Sequence, residues 1–272
     1  PKTPFYMKNR GNRRRALGTV GRLAGEYVKL ALKIVTLRFL FDRRAIDRNM
    51  TRLVQAKDRL RMGDPSGARV VATDLDRPFV YFPLHLQPEM TTDTWGFEYG
   101  DQVLAIEELA AALPPDMKIY LKENPIQTRY MREESFSRRI AAIQNVEYVA
   151  SDTSTFDLIK KSRCVATITG TVGWEAVQIG KGVIHFGVTW YSSLPGAFRW
   201  QGAKTLDKAL SFSGDRTSFE KCFVALSKKL YPGVIDPVYG AIVQGFDHNL
   251  EARRAAHSLL VALGEDVSVS DG

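Results

Sequence analysis

From residue 78 to residue 187, short apolar runs alternate with amphipathic stretches, and no other property constrains the fold as much. The runs are PFVYFPL (78–84), KIYLKEN (118–124), VEYVA (146–150), CVATIT (164–169) and GVIHFG (182–187). Each is strand length and rich in β-branched or aromatic residues. Between them lie YGDQVLAIEELAAAL (99–113), ESFSRRIAAI (134–143), STFDLIKKS (154–162) and GWEAVQIG (173–180). In the first of these, Val103, Ile106, Leu109, Ala110 and Leu113 recur at helical spacing. Ser154 or Thr155 is placed to cap the third. TLDKALSF (205–212), TSFEKCFVALSKKLY (217–231) and NLEARRAAHSLLVALG (249–264) continue as helices. Strands alternating with helices predict an α/β fold with a parallel, doubly wound sheet.

Such a sheet places its ligand loops at the carboxyl ends of the strands. The loops to consider therefore follow Leu84, Glu123, Ala150, Thr169 and Gly187. The first, residues 83–96, carries Gln87, Glu89, two threonines and a tryptophan. In the second, Pro125 fixes the chain, Lys122 can meet an anion and Glu123 can accept from hydroxyls. The third crowds Asp152, Thr153, Ser154 and Thr155 around a helix start, where caps and anions compete for the same N–H groups.

The fourth loop is TITGTVGWEA (167–176). Thr169 ends a strand, Gly170 and Gly173 allow a close turn, and Thr171 offers a hydroxyl at the next helix start. Backbone N–H donors, hydroxyls and a positive dipole end are what a phosphate needs. The spacing is neither that of a P-loop nor GxGxxG. Glu175 can complement the dipole or bind ribose hydroxyls. The fifth loop, residues 187–200, offers Trp190, Tyr191, Phe198 and Trp200 either as packing groups or as walls of a sugar or base pocket.

The ends of the chain differ in charge. Residues 1–62 contain 17 Lys/Arg and 4 Asp/Glu, a balance of +13. The remainder contains 21 and 26, a balance of −5. The basic part has helical periodicity, interrupted around Asp42. Leu23, Tyr27, Leu30, Ile34, Leu37 and Phe41 share one face, and Val28, Leu32, Val35 and Phe39 share another. Charges break every apolar run before it reaches spanning length. A helix packed against protein or one lying on an anionic membrane surface through residues 16–41 fits this pattern. No aromatic platform or DNA-binding motif accompanies the charge, so no nucleic-acid partner is expected. GDPSG (63–67) marks a linker. The expected organisation is a basic helical segment and linker over 1–67, then one domain over 68–272 with closing carboxyl-terminal helices.

Two cysteines cannot build a disulfide scaffold, and Cys164 belongs to an apolar run. The four histidines lack zinc-type spacing, so no bound metal and no cofactor are expected.

Taken in order, YFPLHLQPE, GDQVLAIEELAAALP, YLKENP, NVEYVASDTSTFDLIKKSRCVATITGTVGWEAVQIGKGVIHFG and TWY resemble the bacterial capsule polysaccharide biosynthesis family, which includes Kdo transferases of the GT-B type. The resemblance spans about residues 78–200. It implies a Rossmann-like GT-B carboxyl-terminal domain that holds a nucleotide-sugar donor, with CMP-Kdo the donor it points to, and a glycan or glycolipid acceptor. It carries over Thr169, Gly170, Thr171 and Glu175 as donor contacts and sets Asn124 and Pro125 at the nucleotide; Gln87, Lys122, Glu123, Asp152, Thr153, Ser154 and Gly173, from the loops above, complete the expected donor-binding set. Glu89 is the residue expected to face the sugar across the cleft. Asn124 stands where related enzymes have the histidine of a His-Pro pair that contacts the nucleotide. It can donate and accept hydrogen bonds but carries no positive charge. About 75 residues precede the first strand, too few for a second Rossmann domain. The chain is therefore expected to be the carboxyl half of a longer protein, or a reduced relative, working with a missing amino-terminal domain or a partner protein. The alternative to an enzyme is a non-catalytic nucleotide-sugar-binding or assembly module of a membrane-associated polysaccharide complex. Either is expected in the cytoplasm, peripheral on the inner face of the membrane.

Overall fold

The computed structural model describes residues 74–124, 127, 132, 134–150, 152–234, 240 and 244–264, together with Gly25 and Val28. The rest of the basic segment, the linker at 63–67 and Pro125 lie outside the described residues. The chain forms two compact units, Pro1–Phe219 and Glu220–Gly272.

The first unit is built on six parallel strands: β1 (Phe79–Pro83), β2 (Lys118–Lys122), β3 (Val146–Tyr148), β4 (Cys164–Thr167), β5 (Val183–His185) and β6 (Ala197–Arg199). Their order is β3-β2-β1-β4-β5-β6, the order of a Rossmann-type doubly wound sheet. The helices are α1 (Met90–Trp95), α2 (Gln102–Ala112), α3 (Glu134–Ala141), α4 (Thr155–Lys161), α5 (Thr171–Gln178), α6 (Ala203–Ser211), α7 (Arg216–Ser227) and α8 (His248–Ala262).

Alternation along each strand decides which helix it meets. Val80, Phe82, Ile119, Leu121, Cys164, Ala166 and Ile184 join Val103, Ile106, Leu109, Phe136, Ile140, Leu206 and Ala209 in one core, which places α2, α3 and α6 together. α2 touches both α3 and α6, whereas α4 touches α5. The intervening strand residues Phe79, Tyr81, Tyr120, Val165, Thr167, Val183 and His185 are also buried, so both faces of the sheet are covered. Burial on both faces explains why the strands are continuous apolar runs rather than alternating ones.

From residue 74 on, the expected strands and helices are present among the described residues, with three differences. Residues 83–96 were expected as a loop, but they contain α1, followed by a 3-10 turn at Phe97–Gly100. Thr and Asp are modest helix formers, so nothing local announces α1; Thr92 is buried and its carbonyl receives Gly96 N–H. Residues 187–200 were also expected as a loop, yet β6 forms inside them. Three residues are too few to show a period, and β5 supplies the pairing. Finally, α5 begins at Thr171, two residues before the expected start, with Gly170 at its N-cap.

The cap of α4 is Ser154, whose hydroxyl oxygen accepts from Asp157 N–H. In the second unit, the Asp247 carboxylate accepts from Asn249 N–H and Leu250 N–H at the start of α8. Ser258 of the same helix donates to the Pro232 carbonyl. Among the described residues, no helix is long and apolar enough to cross a membrane.

Candidate functional site

The strand order reverses direction between β1 and β4, which lie side by side. At such a reversal the following connections diverge and leave a crevice at the carboxyl ends of the strands. Residues 84–87 leave β1 here, and residues 168–171 leave β4.

Leu84 N–H donates to the Lys122 carbonyl at 2.9 Å and extends the sheet by one residue. His85 comes next and is held through its backbone. Its N–H donates to Gln102 Oε1 at 2.7 Å, and its carbonyl accepts from Gln102 Nε2 at 3.2 Å. Gln102 is fully buried at the start of α2, where both halves of its amide are satisfied.

The His85 ring points toward β4. Its Nε2 lies 2.9 Å from Thr167 Oγ1 and accepts from Ile168 N–H at 3.3 Å. Thr167 Oγ1 itself accepts from Gly170 N–H at 3.1 Å, so its own proton is directed to His85 Nε2. A ring nitrogen that accepts two donors is unprotonated, which puts the imidazole proton on Nδ1. Burial, aided by the Arg132 charge, pushes the His85 pKa down to about 4 and keeps the ring neutral near pH 7. The turn after β4 is thus set by a relay from Gly170 N–H through Thr167 to His85.

Gly170 is needed for this approach. A Cβ there would lie 2.7 Å from Thr167 Oγ1 and 3.1 Å from His85 Cε1. Gly173 also serves the packing below the turn. It is buried, and a Cβ there would sit 2.1 Å from the Tyr191 hydroxyl. Tyr191 uses that space to donate to the Gly170 carbonyl at 2.8 Å. Gly173 therefore makes room for a packing tyrosine. Thr171 is exposed at the first position of α5, and Thr169 and Gly170 are half-buried beside it. Glu175, one turn along, is half-buried, and burial raises its pKa.

The loop after β2 is tied to the same place by a buried ion pair. Arg132 Nε donates to Glu123 Oε2 at 2.8 Å and Arg132 NH2 donates to Glu123 Oε1 at 2.6 Å. The side chains are only 6% and 3% exposed. The remaining donors of Arg132 reach the His85 carbonyl at 2.9 Å and Gln87 Oε1 at 3.1 Å. Its guanidinium carbon lies 4.3 Å from the centre of the Phe136 ring. Gln87 N–H donates to Gln127 Oε1 and the Gln87 carbonyl accepts from Gln127 Nε2. Gln87 Nε2 donates to the Gly100 carbonyl at 2.6 Å. One arginine thus joins the loops after β1 and β2, and His85 passes that connection to the turn after β4.

This arrangement fixes what the expected residues do inside the protein. Gln87 and Glu123 have their side-chain groups engaged by Arg132, Gly100 and Asn124 N–H. Lys122 Nζ donates to the Thr153 carbonyl and to Thr155 Oγ1. Burial lowers its pKa, against the opposing pull of Asp152. Lys122 therefore staples the end of β2 to the start of α4. Asp152 and Ser154 are exposed, and Ser154 is also the α4 cap. Glu89 stands immediately before α1 with its N–H donating to Asp93 Oδ2 at 3.2 Å. Its pKa is raised by burial and by Asp93, with a bond from Thr91 opposing.

His85, Gln102, Arg132 and Thr167 were not expected to act at the site, and Tyr191 takes the packing role of its two expected ones. One signal for His85 was available. It stands four residues after Tyr81, in the same alternation, and two residues beyond the strand. Among the described residues, no group of three or more His, Cys, Asp or Glu side chains could hold a metal ion.

Residues 68–209 match the family model described as "Capsule polysaccharide biosynthesis protein". Among solved structures, the β-Kdo 2,4 transferase of KpsC from Thermosulfurimonas dismutans is similar at 18% identity and TM-score 0.37, covering 59% of this chain and 47% of that one. The β-Kdo 2,7 transferase of KpsC from the same organism is similar at 13% identity and TM-score 0.39, covering 68% of this chain and 56% of that one. The chain therefore spans about half the length of these two structures. Among curated proteins, none matches closely enough to count as a relative.

Proposed function

The chain belongs to the capsule polysaccharide biosynthesis protein family, and from that premise we propose that it is the donor-binding domain of a glycosyltransferase that builds capsule or surface polysaccharide. Its donor is a nucleotide sugar, and CMP-Kdo is the first to test. The observation that carries this reading is the turn after β4. Its shape is imposed from below by His85 and Thr167, and it leads into the start of α5 with Thr171 exposed. The first turn of a helix leaves N–H groups without intrahelical partners, and together with a hydroxyl these suit a phosphate.

In glycosyl transfer, negative charge grows on the departing nucleotide phosphate. Fixed N–H donors and the Thr171 hydroxyl stabilise that charge without rearranging. Thr169 lies on the same turn, and Glu175 faces ribose hydroxyls from the first turns of α5. Glu89 faces the sugar; its raised pKa suits a carboxyl that exchanges a proton. The acceptor is a glycan or glycolipid, with the rest of the cleft supplied by another domain or partner protein.

Thermal shift with CMP, UDP, GDP and their sugars tests the reading, because a ligand that binds the folded state raises its stability. One nucleotide class is expected to raise Tm. Thr171→Val is then expected to weaken binding of that nucleotide by ~1–3 kcal/mol in calorimetry. Unchanged affinity in the variant overturns the phosphate role of this turn.

Asn124 favours a second reading, a module that binds nucleotide sugar without turning it over. An uncharged amide gives the departing nucleotide less charge compensation than an imidazolium. Transfer of sugar from donor to a glycan by this chain removes that reading.

A further inference from the structure

An open cleft of about 520 Å³ lies on the α2–α6 side of the sheet. The His85–Thr167 contact belongs to the opposite, α4–α5 side. The cleft is lined by Tyr99 from the 3-10 turn, Glu108 and Ala111 from α2, and Trp200, Gln201 and Ala203 from the β6–α6 connection. Its volume falls in the range of small-molecule sites, roughly 300–1,000 Å³.

Its polar groups are organised. Glu108 Oε2 accepts from the Tyr99 hydroxyl at 3.0 Å and from Trp200 Nε1 at 2.7 Å. Among the described residues, nothing donates to the other oxygen, Oε1. The buried Phe186 ring packs against both aromatic residues, 4.9 Å from Tyr99 and 5.2 Å from Trp200 between centroids. Two rings locked by a common carboxylate and backed by a third ring form a rigid aromatic wall.

We propose that this cleft binds an uncharged glycosyl segment of the glycan. A pyranose presents an apolar C–H face that packs on aromatic rings and hydroxyl donors that pair with a carboxylate oxygen. Gln201 adds an amide that both donates and accepts. The Glu108 charge repels an anion placed against its Oε1, although the Arg199 charge also reaches Tyr99 at the edge of the cleft. The two sites thus differ at their polar centres: N–H and hydroxyl donors at the strand reversal, and the Glu108 carboxylate oxygen Oε1 in the cleft on the α2–α6 side. The choice of a glycan as ligand rests on the reading of the protein as a polysaccharide-building enzyme, and the cleft would hold a neutral stretch of the acceptor, apart from any carboxylate-bearing residue that transfer adds.

The test uses the full chain and saturation-transfer NMR. One panel contains neutral oligosaccharides of hexoses and N-acetylhexosamines, and another contains oligosaccharides bearing carboxylates. Ala111→Trp fills the cleft from an exposed helix position. Glu108→Gln keeps an acceptor for Tyr99 and Trp200 but replaces Oε1 with a donor. A neutral oligosaccharide is expected to bind the wild type and to bind each variant about tenfold more weakly or worse. Nucleotide affinity is expected to stay the same in all three proteins. If Ala111→Trp does not fold, Glu108→Gln decides. No binding of any neutral oligosaccharide, preference for the anionic panel, or equal affinity in the folded variants overturns the proposal. Glycan binding without any nucleotide binding would sink the donor-site reading and leave the cleft standing.

Discussion

Two arginine forks lie close together in sequence and differ in one respect. Arg132, two residues before α3, grips Glu123 with two bonds. Arg139, within α3, grips Glu107 with two bonds and adds Asp101 at 2.6 Å. By bonds to carboxylates the second fork is the richer one, three against two. Its side chains, however, are 37–44% exposed, against 3–6% at the first. Water competes for every group of the exposed fork and for almost none of the buried one. An exposed ion pair contributes little, whereas removing one member of a buried pair leaves an uncompensated charge. The buried fork also holds the His85 carbonyl and Gln87, so it sets the geometry of the strand reversal. The exposed fork joins α2 and α3 at the surface.

The largest effect should come from Arg132→Ala, which leaves the Glu123 carboxylate buried alone. Denaturant unfolding is expected to show a loss of ~3–5 kcal/mol. A loss below 1 kcal/mol would erase the distinction between the forks.

The second prediction concerns acid. His85 is held neutral, with its pKa lowered to about 4 from an ordinary 6.5. In the unfolded chain it protonates first as pH falls. The stability it contributes is therefore complete above about pH 6.5 and is lost progressively down to about pH 4. The total is about 3 kcal/mol. Unfolding curves across this window are expected to be steeper for the wild type than for His85→Gln by that amount. His185, whose pKa burial also lowers, remains in both proteins and cancels from the difference. The comparison sharpens further with Arg132→Met, which removes the nearby charge and should raise the lower end of the window. Arg139→Met should leave it in place, and an equal shift from both would refute the assigned cause.

The smallest effect should follow Arg139→Ala. Thermal denaturation is expected to show a loss of ~0–1 kcal/mol that shrinks further in high salt.

The sheet was legible because its strands are buried on both faces and therefore appear as uninterrupted apolar runs. The turn at 167–171 was legible because glycine beside threonine at a strand end has few other uses. The neighbour relations were not. Nothing local says that β1 pairs with β4, about 85 residues away, and His85 gains its role only from that pairing. Glu123 reads in the sequence as a free acceptor for hydroxyls, and its burial depends on Arg132, nine residues further along. Gly173 was recognised as necessary, but its reason lies in Tyr191, which arrives from the β5–β6 connection. Local chemistry marked the surface of the site, and long-range pairing built its foundation.

The strand lengths have a consequence for how this protein behaves in a crowded solution. The sheet is broad in the middle, with five residues in each of β1 and β2, and tapers to three residues at both edges, β3 and β6. A sheet edge is a template on which another chain can lay down a strand, and short edges are one of the ways proteins blunt it. Among the described residues, each rim offers three residues of strand backbone. Any lateral growth of the sheet from one molecule to the next would have to begin on a foothold too short to hold it.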